Sequence, residues 1–154
     1  MESDAITPEI QIDPHLTVQG DSTQLSQVFI NLIQNAIDAC NARPDIPPLI
    51  RISAEAGDDE VTVKISDNGE GIPDDIIDKI FDPFFTTKDV GSGMGLGLSI
   101  CHAIIKSHAG RLDVQSEPSL GTVVAISLPT LPQSKNTGNK PANVMEPHES
   151  LIQL

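Results

Sequence analysis

Asp67 closes an apolar alternation of Val61, Val63 and Ile65 and shares their inward parity. An isolated buried carboxylate is costly; it shifts its pKa or finds hydrogen-bond donors. At the core-facing end of a strand it marks the mouth of a cavity whose occupant supplies those donors. Asn68-Gly69-Glu70-Gly71-Ile72-Pro73 follows directly, with glycines that permit positive φ and close approach of a flat ligand. Thr122 has the parity of Val124, Ile126 and Leu128, so it points inward from a different strand. A second reading stays open: Asp67 caps its own turn through Asn68 and Gly69.

Two further groups of residues suit a charged ligand. The run Gly91-Ser92-Gly93-Met94-Gly95-Leu96-Gly97-Leu98-Ser99 stands immediately before an apolar-periodic helix. It exposes backbone N–H groups at a positive helix end, a ready anion site. Its spacing is not the dinucleotide fingerprint, and it lacks the Lys-Ser/Thr ending of a P-loop. A mobile loop is the plainer alternative. Asn31 and Asn35 lie one helical turn apart on a polar stripe, where amide oxygens could ligate a hard cation or simply face solvent. Lys88, at the end of Phe81-Asp82-Pro83-Phe84-Phe85-Thr86-Thr87-Lys88, is one of only nine basic residues.

These groups must be held by a small domain. At 154 residues the chain fits one domain that buries about 68–70% of its unfolded surface. With 3% aromatics and neither Trp nor Tyr, the core must be aliphatic and stacking platforms for single-stranded nucleic acid are nearly excluded. The formal net charge of −13 opposes phosphate backbones and anionic lipid, so neither nucleic acid nor direct membrane contact is expected. A polyanionic ligand would have to bring a cation with it. No apolar stretch is long enough to span a bilayer. Two distant cysteines without metal spacing suit reduced, buried thiols in a cytoplasmic setting.

The periodicity predicts a helix of about twenty residues from Asp21, with Asp21 as N-cap and Gln24 in a capping-box position. Its apolar face is Leu25, Val28, Phe29, Leu32, Ala36, Ala39 and Cys40; Asn31, Asn35 and Asp38 edge it. Strands are expected at 49–54 and 60–67, joined at Gly57-Asp58-Asp59, and at 111–116 and 121–128, joined around 118–121. A weak strand pair is expected around Ile10–Gln19. A short second helix is predicted from Pro73, and a third over about 96–108. The expected fold class is α+β: a two-layer α/β sandwich with three helices on one face of a mixed, mostly antiparallel five-stranded sheet. From Pro129 onward the composition turns to Pro, Asn, Ser and Lys, which predicts a domain over 1–130 and a disordered tail or linker over 131–154.

In this order, the helix QLSQVFINLIQNAIDAC, the turn DNGEGIP, the segment FDPFFTTK and the loop GSGMGLGLSI resemble the ATP-binding catalytic domain of bacterial sensor histidine kinases. That domain belongs to the GHKL (Bergerat-fold) superfamily. The four segments match its N, G1, F and G2 boxes, and the hairpin closing at Gly121-Thr122 matches as well. The likeness covers roughly residues 10–129, and its wording is nearest the nitrogen-regulation and oxygen-sensing branch.

The resemblance implies ATP and Mg²⁺ as cofactors. Asp67 would accept a hydrogen bond from the adenine amine, with Gly69, Gly71, Ile72 and Thr122 around the base. Asn35 would be the metal ligand, and Asn31 and Lys88 the candidate catalytic residues, Lys88 approaching the γ-phosphate. Gly93, Met94, Gly95, Leu96, Gly97 and Leu98 would form a mobile ATP lid on the phosphates, anchored by Phe81, Phe84 and Phe85. In hydrolysing members a Glu stands four residues before the metal-binding Asn. Here it is Asn31, which cannot act as a base, favouring transfer to a protein side chain. Asp38 replaces a basic residue that often follows the metal Asn by three, so one phosphate contact is in question.

The expected partner is a histidine-bearing dimerisation and phosphoacceptor domain, with a response regulator beyond it; only some 20 residues precede the first helix. The isolated domain is expected to be monomeric. Of the four histidines, His102 and His108 are expected at the surface, and His148 has no helical context for an acceptor role. Cys40 and Cys101 are expected in the core. Two other function classes remain: an anti-sigma-type protein serine kinase and a non-catalytic nucleotide-sensing module.

Overall fold

The structure, a computed structural model, describes residues 5–85, 97–130 and 151–153. Seven strands and two α-helices follow one another as β1 (Glu9–Gln11), β2 (Thr17–Gln19), α1 (Ser22–Asn41), β3 (Ile50–Ala56), β4 (Glu60–Asp67), α2 (Gly97–Ser107), β5 (Arg111–Glu117), β6 (Gly121–Pro129) and β7 (Leu151–Gln153). Five strands form one sheet in the order β1-β3-β4-β6-β5, with β1 parallel to β3 and all other pairs antiparallel.

Helix α1 begins as its residue types dictate. The Asp21 carboxylate accepts the Gln24 backbone N–H at 2.9 Å, satisfying one of the donors that a helix start leaves unpaired. Leu25, Val28, Leu32, Ala36 and Cys40 form its buried stripe. They meet Ile50, Ile52, Val61, Val63, Ile65, Leu112, Ile126 and Leu128 from the sheet and Cys101 and Ile105 from α2. The inward parities of β4 and β6 are those expected from alternation. Each fully buried aliphatic side chain contributes about 1.5–3 kcal/mol of transfer free energy.

The fold departs from expectation in three places. The helix predicted from Pro73 is instead a run of turns with a three-residue 3-10 helix, Ile77–Lys79. Its bonds run from Ile76 N–H to the Pro73 carbonyl, Lys79 to Ile76 and Asp82 to Lys79, each spanning three residues. The segment lies between Pro73 and Pro83, too short to repay helix nucleation, and the tighter turns place Ile80 in the core at 5% exposure. Among the described residues two α-helices, not three, therefore cover the sheet. The N-terminal strands do not pair with each other: β1 adds to β3, and β2 pairs with β7. Leu151–Gln153 thus form a short strand inside the segment expected to be a tail, while 131–150 lie outside the described residues.

Candidate active site

The sheet register places the inward polar residues in one row. Asp67 on β4 is directly opposite Thr122 on β6, and Thr122 is opposite Ser116 on β5. Directly opposed residues present their side chains on the same face about 4.5–5.5 Å apart. Thr122 is buried at 9% exposure, and its hydroxyl lies 2.8 Å from the Ser116 hydroxyl.

Asp67 meets the turn-capping reading. Its carboxylate accepts the Gly69 N–H at 2.9 Å, so it does brace its own turn. Burial nevertheless pushes its pKa above the ordinary carboxylate value, against the pull of the Gly69 and Thr122 backbone N–H groups. The carboxylate is thus half-buried, with its charged form disfavoured by burial.

The turn after Asp67 is pressed between two elements. On one side the Glu70 N–H donates to the Ala39 carbonyl of α1 at 3.2 Å. A Cβ at Gly69 would come within 2.5 Å of the Ala39 backbone, so only glycine permits this approach. On the other side Gly71 has φ +72, and a Cβ there would collide with the Glu117 carbonyl. The Ser119 N–H donates to the Glu70 carbonyl at 2.8 Å, clamping the β5–β6 turn onto it. Gly69→Ala is expected to push the turn off α1, lowering unfolding free energy by about 1–3 kcal/mol and weakening nucleotide binding. Denaturant titration and calorimetry read the two effects.

Asn35 lies one turn of α1 before Ala39, about 6 Å along the axis, so the Asp67 turn and Asn35 flank the same stretch of helix. Asn31 is one turn further back and meets α2. Its amide oxygen lies 3.3 Å from where a Cβ on Gly97 would stand. The Asn31 side chain is also hydrogen-bonded to the Cys101 thiol, whose pKa burial pushes up to about 11. Cys101 Sγ in turn donates to the Val28 carbonyl at 3.8 Å. The structure therefore sets Thr122 opposite Asp67, seats the Gly69–Gly71 turn on α1 beside Ala39, and brings Asn31 against Gly97 at the start of α2. Lys88, Gly93, Met94, Gly95 and Leu96 lie outside the described residues.

Among the phenylalanines Phe81 packs against the core, its ring centroid 5.1 Å from that of His102. Phe84, expected to anchor the same segment, is 73% exposed with φ +67. Phe81 makes the core contact and Phe85 is half-buried. Ile72 donates its N–H to the Ser116 hydroxyl at 2.7 Å.

Several positioning groups escape a reading by motif. Asn68 accepts the Leu49 N–H at 2.8 Å and donates to the Pro47 carbonyl at 2.9 Å, fixing the loop before β3. Arg43, paired with Asp45, donates to the Ser119 carbonyl at 2.6 Å and ties the end of α1 to the β5–β6 turn. His108, expected at the surface, is half-buried; its Nε2 accepts the Asp21 N–H at 3.0 Å and links the end of α2 to the start of α1. Only Ser116 left a signal in the sequence, as a hydroxyl on the inward parity of Leu112 and Val114.

The chain is similar to several known proteins. The profile of the family "Histidine kinase-, DNA gyrase B-, and HSP90-like ATPase" matches residues 20–132. The sensor protein FixL of Bradyrhizobium diazoefficiens is 42% identical over 112 residues, covering 73% of this chain and 22% of that protein. Sporulation kinase A of Bacillus subtilis is 43% identical over 112 residues, covering 73% of this chain and 18% of the kinase. The chain thus spans about a fifth of the length of these relatives. Among solved structures, the catalytic domain of histidine kinase ThkA superposes with a TM-score of 0.65 at 37% identity, covering 80% of each chain. With a family profile that matches residues 20–132, most of its length, the chain belongs to the histidine kinase-, DNA gyrase B- and HSP90-like ATPase family.

Proposed function

We propose that this chain is the ATP-binding catalytic part of a two-component sensor kinase and donates the γ-phosphate of ATP to a histidine on a separate phosphoacceptor domain. The observation that supports it most is the Glu70–Ala39 hydrogen bond, which seats the turn after Asp67 against α1 one helical turn beyond Asn35. An acceptor carboxylate at one end suits a purine amine, and helix-borne amides beside the start of α2 suit a triphosphate.

A divalent cation fits the residues present. Asn35 offers a hard amide oxygen, and no cluster of three or more His, Cys, Asp or Glu among the described residues competes as a metal centre. Mg²⁺ characteristically takes one or two protein oxygens and completes its shell with phosphate oxygens and water. When bound, it neutralises charge on the phosphates, which a chain of net charge −13 otherwise repels. Asn31 is engaged with Cys101 and has no basic atom, so it can orient but not deprotonate a nucleophile. Asp67 orients the base, and the N–H groups at the start of α2 hold phosphate oxygens. Positioning and charge neutralisation carry phosphoryl transfer, and the incoming imidazole nitrogen comes from the partner.

The test mixes the chain with Mg·ATP labelled at the γ position and a panel of dimerisation-hairpin domains. Acid-labile label on an acceptor histidine is the expected result. Acid-stable phosphoserine on a partner, or no transfer to any acceptor despite nucleotide binding, would overturn it.

A further inference from the structure

Ser116 stands at the end of the polar row that crosses β4, β6 and β5, and its hydrogen bonds fix a direction no motif specifies. A hydroxyl has one proton and two lone pairs. The Ile72 N–H donates to Ser116 Oγ at 2.7 Å, which occupies one lone pair. Ser116 Oγ donates to the Gly121 carbonyl at 3.0 Å, which uses the proton. Both directions are forced, because an amide N–H only donates and a carbonyl oxygen only accepts. Thr122 Oγ1 lies 2.8 Å from the same oxygen. With one lone pair left on Ser116, Thr122 must be the donor. Its own lone pairs are then the only function it can offer a ligand, directly across the ladder from the Asp67 carboxylate.

We propose that Ser116 is a positioning residue for base selection: by holding the Thr122 hydroxyl as an acceptor beside Asp67, it makes the site prefer a purine with an amine at ring position 6 over one with a keto oxygen there. This rests on the nucleotide-binding reading above and adds the group that decides which purine is taken. Two neighbouring acceptors match the two hydrogens of an exocyclic amine. A keto oxygen in the same place meets lone pairs, and polar groups left unpaired are what make such discrimination strong. Were Ser116 removed, the Thr122 hydroxyl would be free to turn and donate, and the distinction would fade.

ATP and inosine triphosphate differ at this ring position, and calorimetric titration of each onto the full chain reads the preference as a ratio of affinities. The wild-type chain is expected to favour ATP. Ser116→Ala should lower that ratio by roughly tenfold, the scale of one hydrogen bond. Ser116→Thr, which keeps the hydroxyl, should restore it. Thr122→Val should lower the ratio similarly, and the double variant Ser116→Ala/Thr122→Val should lose no more than either single one, because both act on the same acceptor. A merely structural role for Ser116 would weaken both nucleotides alike and leave the ratio intact. That result, or an unchanged ratio in Thr122→Val, overturns the proposal; if Ser116→Ala does not fold, the Thr122→Val ratio decides. A wild-type chain that binds ATP but no better than inosine triphosphate overturns base selection alone. A chain that binds neither removes the nucleotide reading itself.

Discussion

Asp67→Asn is expected to abolish adenine nucleotide binding, with a loss in affinity on the order of a hundredfold or more measured by calorimetry. A hydrogen bond to a charged group is worth about 1.5–3 kcal/mol. The substitution removes it and also aims an amide donor at the donor of the base. The free protein should tolerate the change, because the amide oxygen can still accept the N–H groups of Gly69 and Thr122 that the carboxylate now accepts. The direction of the pKa shift makes this testable in two ways. Burial raises the Asp67 pKa above 3.8, so the native chain holds that proton more tightly than the unfolded one. Its contribution to stability is therefore present below the unfolded pKa and lost as pH rises through the elevated folded value. At pH 7 the Asn variant should melt at the same temperature as the parent or higher. Affinity for ATP should fall on acidification at a pH above that of an ordinary carboxylate, and the Asn variant should lack that fall. Unaltered ATP affinity in the variant would contradict the assignment of Asp67.

Asn35→Ala should show the second large effect. Phosphotransfer to an added acceptor should drop roughly a thousandfold, equivalent to about 4 kcal/mol of lost charge stabilisation. Binding should cease to depend on Mg²⁺, while metal-free ADP, held through the base, should bind almost as before. Those outcomes would separate the two ends of the proposed site, Asp67 for the purine and Asn35 for the metal-bound phosphates. A retained Mg²⁺ dependence in Asn35→Ala would count against Asn35 as ligand.

Much of this was legible because it is local. The Asp21 cap, the apolar stripe of α1 and the inward parities of β4 and β6 depend on neighbours within one helical turn or one strand pleat, and all appear as expected. The helix predicted after Pro73 failed for a physical reason. Pro73 and the two aspartates after it suited a helix start, but whether nine residues stay α-helical depends on what they pack against, and the burial of Ile80 favoured tighter turns. The pairing of β1 with β3 and β2 with β7 was equally invisible, since short strands carry no mark of their partners.

The amino-acid sequence by itself determined which residues face inward, and the order of its four boxes pointed to the family. Only the tertiary structure decided how they cooperate. The opposition of Asp67, Thr122 and Ser116 is a matter of register between strands some fifty residues apart. The weld of the Gly69 turn to Ala39 needs a helix and a loop brought within van der Waals distance. Hydrogen-bond direction at Ser116 follows from counting donors and acceptors drawn from three segments of the chain. Periodicity encodes the side a residue faces; its partner is chosen by the closure of the sheet.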